Sequence, residues 1–198
     1  MSDNIDTLRQ TALNGDPQAQ FELGQMYEFG RGVPQDYQQA LTHYQAAAES
    51  GLAQAEYSIG LLYEHGRGVT ADATIAADWY ELAAEKGDTW AMNNLAMLYS
   101  YGKGVEASED RANELYLRAA NLGHFQAQYN LGARYASGRG FDVDLVTAYF
   151  WFERSKLGAS ALNQERANKM IEALSDHMTP EGINEAQARI AKMFRKID

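Results

Sequence analysis

Few residues in this chain have types and spacings that could do chemistry. Ser100-Tyr101-Gly102-Lys103 matches S-x-x-K, in which a serine nucleophile performs acyl transfer. That chemistry wants the serine at a helix start. Ser100 instead closes an apolar-periodic stretch, and no K-T-G segment accompanies it. Four G-x-G pairs lack the third glycine and the preceding strand of a dinucleotide fingerprint, so they read as helix stops. His43, His65, His124 and His177 show no metal-ligand spacing. Asp142/Asp144 and Glu106/Glu109/Asp110 stand at helix entries, where carboxylates complement the dipole. Lys169, Arg189, Lys192, Arg195 and Lys196 form a small basic group near the C-terminus, better explained as a solvated face. No catalytic residue, metal ligand or cofactor is expected, and the chain is not expected to be an enzyme.

Composition narrows the classes further. The 198 residues carry 17 basic and 27 acidic side chains, a net charge of −10 that disfavours nucleic acid and anionic membranes as partners. At 45% apolar and 11% aromatic the chain is not intrinsically disordered. Its apolar runs are too short for membrane insertion. With no cysteine it has no disulfide framework and no thiolate zinc site. The start Met1-Ser2-Asp3-Asn4 lacks a basic and an apolar region, so a cytoplasmic location is expected, or a periplasmic one if a leader has been removed.

The elements that must position any site are set by glycine. Gly30, Gly66, Gly102 and Gly138 recur every 36 residues, as do Gly32, Gly68, Gly104 and Gly140, and Gly15, Gly51, Gly87 and Gly123. Gly24, Gly60 and Gly132 form a fourth column, with Ala96 in the remaining place. A fixed period of this length means a stacked array. Ala19, Leu23 and Tyr27, with their counterparts 36 residues apart, are spaced i, i+4, i+8 on one face of a helix A. Ala40, Tyr44 and Ala47 begin the equivalent columns of a helix B, which Asp36, Asp72, Ser108 and Asp144 precede as caps.

Helix A is expected near 18–29, 54–65, 90–101 and 126–137, and helix B near 36–50, 72–86, 108–122 and 144–157. The division is a capping half-repeat over 1–16, repeats over 17–52, 53–88, 89–124 and 125–159, and capping helices over 160–198. Residues 160–174 read as a helix without the glycines. Thr179-Pro180 reads as the start of a last one, with Ile183, Ala186, Ile190, Met193/Phe194 and Ile197 in one stripe.

The second copy carries a resemblance most fully: Ala55-x3-Ile59-Gly60-x2-Tyr63-x2-Gly66-x-Gly68-Val69-x2-Asp72-x3-Ala76-x2-Trp79-Tyr80-x2-Ala83-Ala84-x2-Gly87. This pattern resembles the Sel-one-like repeat family, relatives of the tetratricopeptide repeats. The likeness covers about 17–158. Locally, Ala96 departs from it in the third copy, and Phe141 and Ser155-Lys156 in the fourth. It implies an all-α, right-handed superhelical solenoid of antiparallel helix pairs, and a role as adaptor or scaffold in protein complexes, often in bacteria.

In related solenoids helix A lines the concave side. On a helical wheel the arc of helix A opposite the Ala19–Leu23–Tyr27 face holds Gln18, Phe21, Gln25, Glu28 and Phe29. Down the array these positions supply Phe21, Tyr57, Asn93 and Tyr129; Gln25, Leu61 and Met97; His65 and Tyr101; and Trp90. Glu22, Glu28, Glu56 and Glu64 make the first half acidic, while Asn93, Asn94, Asn130 and Arg134 make the second neutral to weakly basic. Aromatic anchors rimmed by polar groups suit a protein or peptide partner, with Asn93, Asn130 and Arg134 orienting it. Packing of the Phe21 column between units stands as the alternative. An inhibitory or immunity-type protein, blocking an enzyme or toxin with its acidic surface, is the alternative function. An array with capped ends is expected to be monomeric.

Overall fold

The computed structural model describes residues 2–194, which hold eleven α-helices. They fall into two compact units, one up to Ala107 and one from Ser108 on. The first holds α1 (Ser2–Leu13), α2 (Pro17–Phe29), α3 (Tyr37–Glu49), α4 (Ala53–His65), α5 (Ala73–Glu85) and α6 (Thr89–Tyr101). The second holds α7 (Glu109–Asn121), α8 (Phe125–Ser137), α9 (Leu145–Ser155), α10 (Ala161–Ser175) and α11 (Pro180–Phe194). Four helix pairs with a helix before and two after make an all-α solenoid of the kind the glycine ladder implies. Within the first unit, helices adjacent in sequence pack on one another; in the second, α7 packs on α8, α8 on α9, and α9 on both α10 and α11.

The helix ends follow from residue chemistry. Asp36 and Asp72 side chains accept the backbone N–H groups of Gln38/Gln39 and Thr74/Ile75, satisfying donors that a first turn leaves orphaned. At the other end Gly66 takes φ +65° and its N–H bonds the Leu62 carbonyl, closing α4 in the left-handed conformation. Leu52, in the same slot as Asp16 and Asp88, provides no side-chain cap.

Several contacts hold the helices together at distances only glycine allows, among them those at Gly60 and Gly104. A Cβ on Gly60 would lie 2.5 Å from the Tyr80 ring, so α4 and α5 approach closely over that ring. One on Gly104 would lie 2.3 Å from the backbone of Ala73, where the turn after α6 rests on the start of α5. Around these contacts Ala55, Ile59, Ala76, Tyr80 and Ala83 are fully buried. In the second unit Ala148, Phe152, Ile171, Leu174 and Ala186 form the core, joined by Ile183 and Ile190. Met193 is half-buried. Of the remaining C-terminal expectations, the Phe194 side chain and Arg195, Lys196 and Ile197 lie outside the described residues.

The fourth copy's departures are accommodated. Gly138 closes α8 as Gly66 closes α4, and the Phe141 ring stacks 4.2 Å from Tyr135. Ser155 is buried and its hydroxyl donates to the Phe152 carbonyl at 2.7 Å.

His124 caps α8 through Nδ1, which accepts the Ala127 N–H at 3.2 Å and must therefore be unprotonated. Burial pushes its pKa down to about 4 from 6.5. With the folded-state pKa depressed, its contribution to stability is complete above pH 6.5 and is lost as pH falls toward 4.

Two outcomes are expected. Gly104→Ala should cost roughly 2–4 kcal/mol in denaturant unfolding, because positive φ and backbone contact both oppose it. Gly87→Ala, at φ +93° with nothing within 4 Å of a Cβ, should cost only about 1 kcal/mol. Equal costs would remove the contact from the account. His124→Asp should flatten the fall in urea midpoint between pH 6.5 and 4, since Asp16 and Asp88 make the same cap bond; parallel curves for variant and parent would contradict the cap assignment.

Candidate functional site

The helix A side chains that escape the core define a face in each unit. In the first, Trp90, Met97 and Tyr101 are 43%, 38% and 71% exposed. Their spacing of i, i+7 and i+11 puts them in one stripe along α6. Asn94 is half-buried on the same helix. On α4, Tyr57 and Leu61 are half-buried and His65 is exposed. On α2, Gln25 is half-buried and Phe29 exposed, with the Arg31 guanidinium 4.9 Å over its ring. In the second unit, Tyr129 and Asn130 on α8 are half-buried.

Beneath the first face runs a set of polar links that repeat with the array. The Tyr44 hydroxyl donates to Glu28 Oε2 at 2.6 Å, and one repeat on the Tyr80 hydroxyl donates to Glu64 Oε2 at 2.6 Å. Each carboxylate also meets a cation 39 residues downstream: Arg67 at 3.5 Å from Glu28, and Lys103 at 3.8 Å from Glu64. Asn94 Nδ2 donates to the Tyr80 oxygen at 3.4 Å. Burial, and then the hydrogen bond to a carboxylate, push both phenols far above their ordinary pKa, so they remain donors. Burial and the Asp88 carboxylate push Tyr57 up to about 12. Lys103, the lysine of the S-x-x-K match, thus faces a carboxylate. Among the described residues no three His, Asp or Glu side chains are grouped to hold a metal ion, and no helix is long and apolar enough to cross a membrane.

Three residues expected to meet a partner are instead inside. Phe21 is 8% exposed because it packs on Tyr44, with ring centroids 5.5 Å apart. Asn93 is 3% exposed, and its amide donates to Asn94 Oδ1 at 3.3 Å. Arg134 is 5% exposed; it hydrogen-bonds Asn113, pairs with Glu109 and lies over the Tyr116 ring. That arrangement, together with Arg139, holds the Glu109 carboxyl below its usual range although burial alone would raise it. Tyr57 and Tyr129 share the Phe21 position and pack 5.7 Å from Tyr80 and 5.1 Å from Phe152. The column is therefore chiefly one of helix-pair packing, with the rims of two rings showing.

A wheel drawn on helix A alone has one buried arc, whereas these helices are covered on more than one side. Phe21 belongs to a cluster that also contains Ala55, Ile59 and Leu62 of α4. Of the carboxylates expected on or beside the open face, Glu28 and Glu56 are buried, Glu56 paired with Lys86 at 2.7 Å, and Glu64 is half-buried. The signal that could have found Glu28 and Glu64 is in the chain: a Glu and a Tyr 16 residues apart, twice.

Comparison with known proteins matches the Sel1 repeat model at residues 17–52, 53–88, 91–124 and 125–158. A Sel1 repeat protein from Oxalobacter formigenes is similar in structure, with 32% identity and a TM-score of 0.80, over 98% of this chain and 78% of that one. A protective antigen of uropathogenic Escherichia coli with an SLR fold is 33% identical over 84% of this chain, with a TM-score of 0.78. This chain spans only 36% of that antigen's length. An immunity protein from Pseudomonas aeruginosa, 18% identical over 86% of this chain and 73% of its own with a TM-score of 0.54, shares the fold alone. No curated protein matches the chain. Four repeats in one phase, each closed by the glycine turn and packed through the same small and aromatic columns, place the chain in the Sel1 repeat family.

Proposed function

We propose that this chain is an adaptor that binds a partner protein or peptide on the outward face of its A helices, chiefly along α6 and α4. Sel1 repeat proteins generally mediate protein–protein interaction. The observation that carries the reading is the stripe of Trp90, Met97 and Tyr101, large side chains left exposed although the helix pair's core does not need them. Aromatic and sulfur side chains give wide contact at low entropic cost, which is what a binding hot spot requires. Leu61 and the rims of Tyr57 extend the apolar area, while Gln25, His65 and Asn94 supply polar contacts beside it. On α8, Asn130 and the rim of Tyr129 would play the same part within the second unit. No catalytic role is assigned to any residue. A second reading, an immunity-type protein that blocks an enzyme or toxin, rests on the net charge of −10. The two differ in mechanism: aromatic burial resists salt, and charge attraction does not.

Affinity purification from the native host, with bound proteins quantified by mass spectrometry, tests the proposal. Trp90→Ala/Tyr101→Ala should lower recovery of a specific partner about tenfold or more while the melting temperature moves by no more than about 2 °C. A partner retained in full by the double variant would overturn the assignment, as would loss that tracks unfolding. For the purified pair, Kd should change less than about threefold between about 50 and 300 mM salt; a steep rise would favour the acidic-surface reading.

A further inference from the structure

Phe150 departs from the array's own pattern. At its place in helix B the first three repeats carry Thr42, Asp78 and Glu114, all exposed to solvent. The fourth carries a phenylalanine there, half-exposed. The nearby helix α11 reaches the core through Ile183, Ala186 and Ile190, and Phe150 lies outside that cluster. A phenylalanine that the core does not use, in a slot otherwise polar, calls for another explanation.

Phe150 forms the floor of a cleft with Tyr135, Thr147 and Trp151, and Arg189, Lys192 and Met193 of α11 wall it. The volume is about 510 Å³, room for one or two bulky side chains. The Phe150 and Trp151 rings meet edge to face, 5.2 Å apart.

The charge at this cleft is opposite to that of the whole chain. Its lining has two cations and no carboxylate. Arg189 donates to Thr147 Oγ1 at 3.1 Å and pairs with Glu185 at 2.7 Å, while its side chain stays 46% exposed. Lys192 makes no ion pair among the described residues. A third cation, Arg154, lies 5.1 Å over the Trp151 ring and 5.9 Å over that of Phe150. It has no carboxylate partner among the described residues, and its Nε is buried without a hydrogen bond. A chain of net charge −10 thus sets an arginine and a lysine on the wall of this aromatic hollow, with Arg154 stacked on two of its rings.

We propose that the cleft between α8, α9 and α11 is a docking site for an acidic segment of a partner protein that carries a bulky apolar side chain beside its carboxylates. The apolar side chain packs against Tyr135, Phe150 and Trp151, where ring burial supplies affinity. The carboxylates face Lys192 and Arg189, which set orientation and association rate. A membrane fits less well: the hollow takes one or two side chains rather than a flat surface, and the chain's net charge repels an anionic bilayer. The site shares no residue with the helix A face and stands independently of the adaptor reading.

The chain has three tryptophans, Trp79, Trp90 and Trp151, so their indole N–H signals in a ¹⁵N-labelled full chain report each region separately. Trp151→Phe assigns the signal of interest. The probe is the peptide acetyl-Asp-Glu-Phe-Asp-Glu-amide, with acetyl-Asn-Gln-Phe-Asn-Gln-amide and acetyl-Asp-Glu-Gly-Asp-Glu-amide as controls. Expected is a saturable shift of the Trp151 signal with Trp90 unmoved, about tenfold weaker with either control peptide and with the double variant R189E/K192E. Phe150→Thr, which installs the residue of the first repeat, should weaken binding similarly while the protein stays folded by circular dichroism. The proposal is overturned by no saturable shift, by equal binding of either control peptide, by binding indifferent to R189E/K192E or Phe150→Thr, or by a shift at Trp90 in place of Trp151. It is equally overturned if phosphatidylglycerol vesicles move the Trp151 signal and the acidic peptide does not.

Discussion

The structure depends on how closely two helices can approach when one of them has no side chain at the crossing. At Gly60 the backbone of α4 rests directly over the Tyr80 ring, and at Gly104 a turn rests on the backbone of Ala73. Neither place has room for a methyl group. Packed interiors tolerate little extra volume, so each such contact fixes the distance and direction of its helix pair. The ring contact recurs at Gly24 over Tyr44 and at Gly132 over Phe152, with Ala96 in the third copy's place, and stacking needs contacts only between neighbouring repeats. The buried alanines flanking these points serve the same end by keeping the backbones near one another.

That geometry settles which helix A side chains remain exposed. Because helix A is covered on more than one side, only part of its outward arc stays open, and Trp90, Met97 and Tyr101 occupy it on α6. The Tyr–Glu links beneath hold the aromatic rings on which Gly24 and Gly60 sit. They place a hydroxyl where it can donate to a carboxylate, and a cation from the following repeat closes the charge. The exposed face is therefore a by-product of the fold, with its floor held by these links.

The glycine and alanine columns made the helices legible, since a residue that recurs in phase four times has one structural reason each time. The caps were legible for the same cause: Asp36 and Asp72 precede their helices at the expected distance and bond as expected. The open face was legible only in part. Met97, Tyr101 and Trp90 are exposed, but Phe21 and Asn93 are inside, because a wheel for one helix does not know how many neighbours the helix has. Arg134 was misplaced for a further reason. Its partners Glu109 and Asn113 belong to another helix, 25 and 21 residues away. A charged residue is buried when a partner is waiting for it, and single-residue character does not disclose that.

The central claim, that the missing side chain at a glycine crossing sets the helix spacing, is tested most directly by a double-mutant cycle at Gly60 and Tyr80. Urea unfolding of Gly60→Ala, Tyr80→Ala and the pair gives the coupling between them. Gly60→Ala is predicted to destabilise the parent by about 1–3 kcal/mol, and to be neutral or stabilising once the ring is gone, because alanine then contributes its helix propensity without a clash. Costs that add within about 0.5 kcal/mol would contradict the claim.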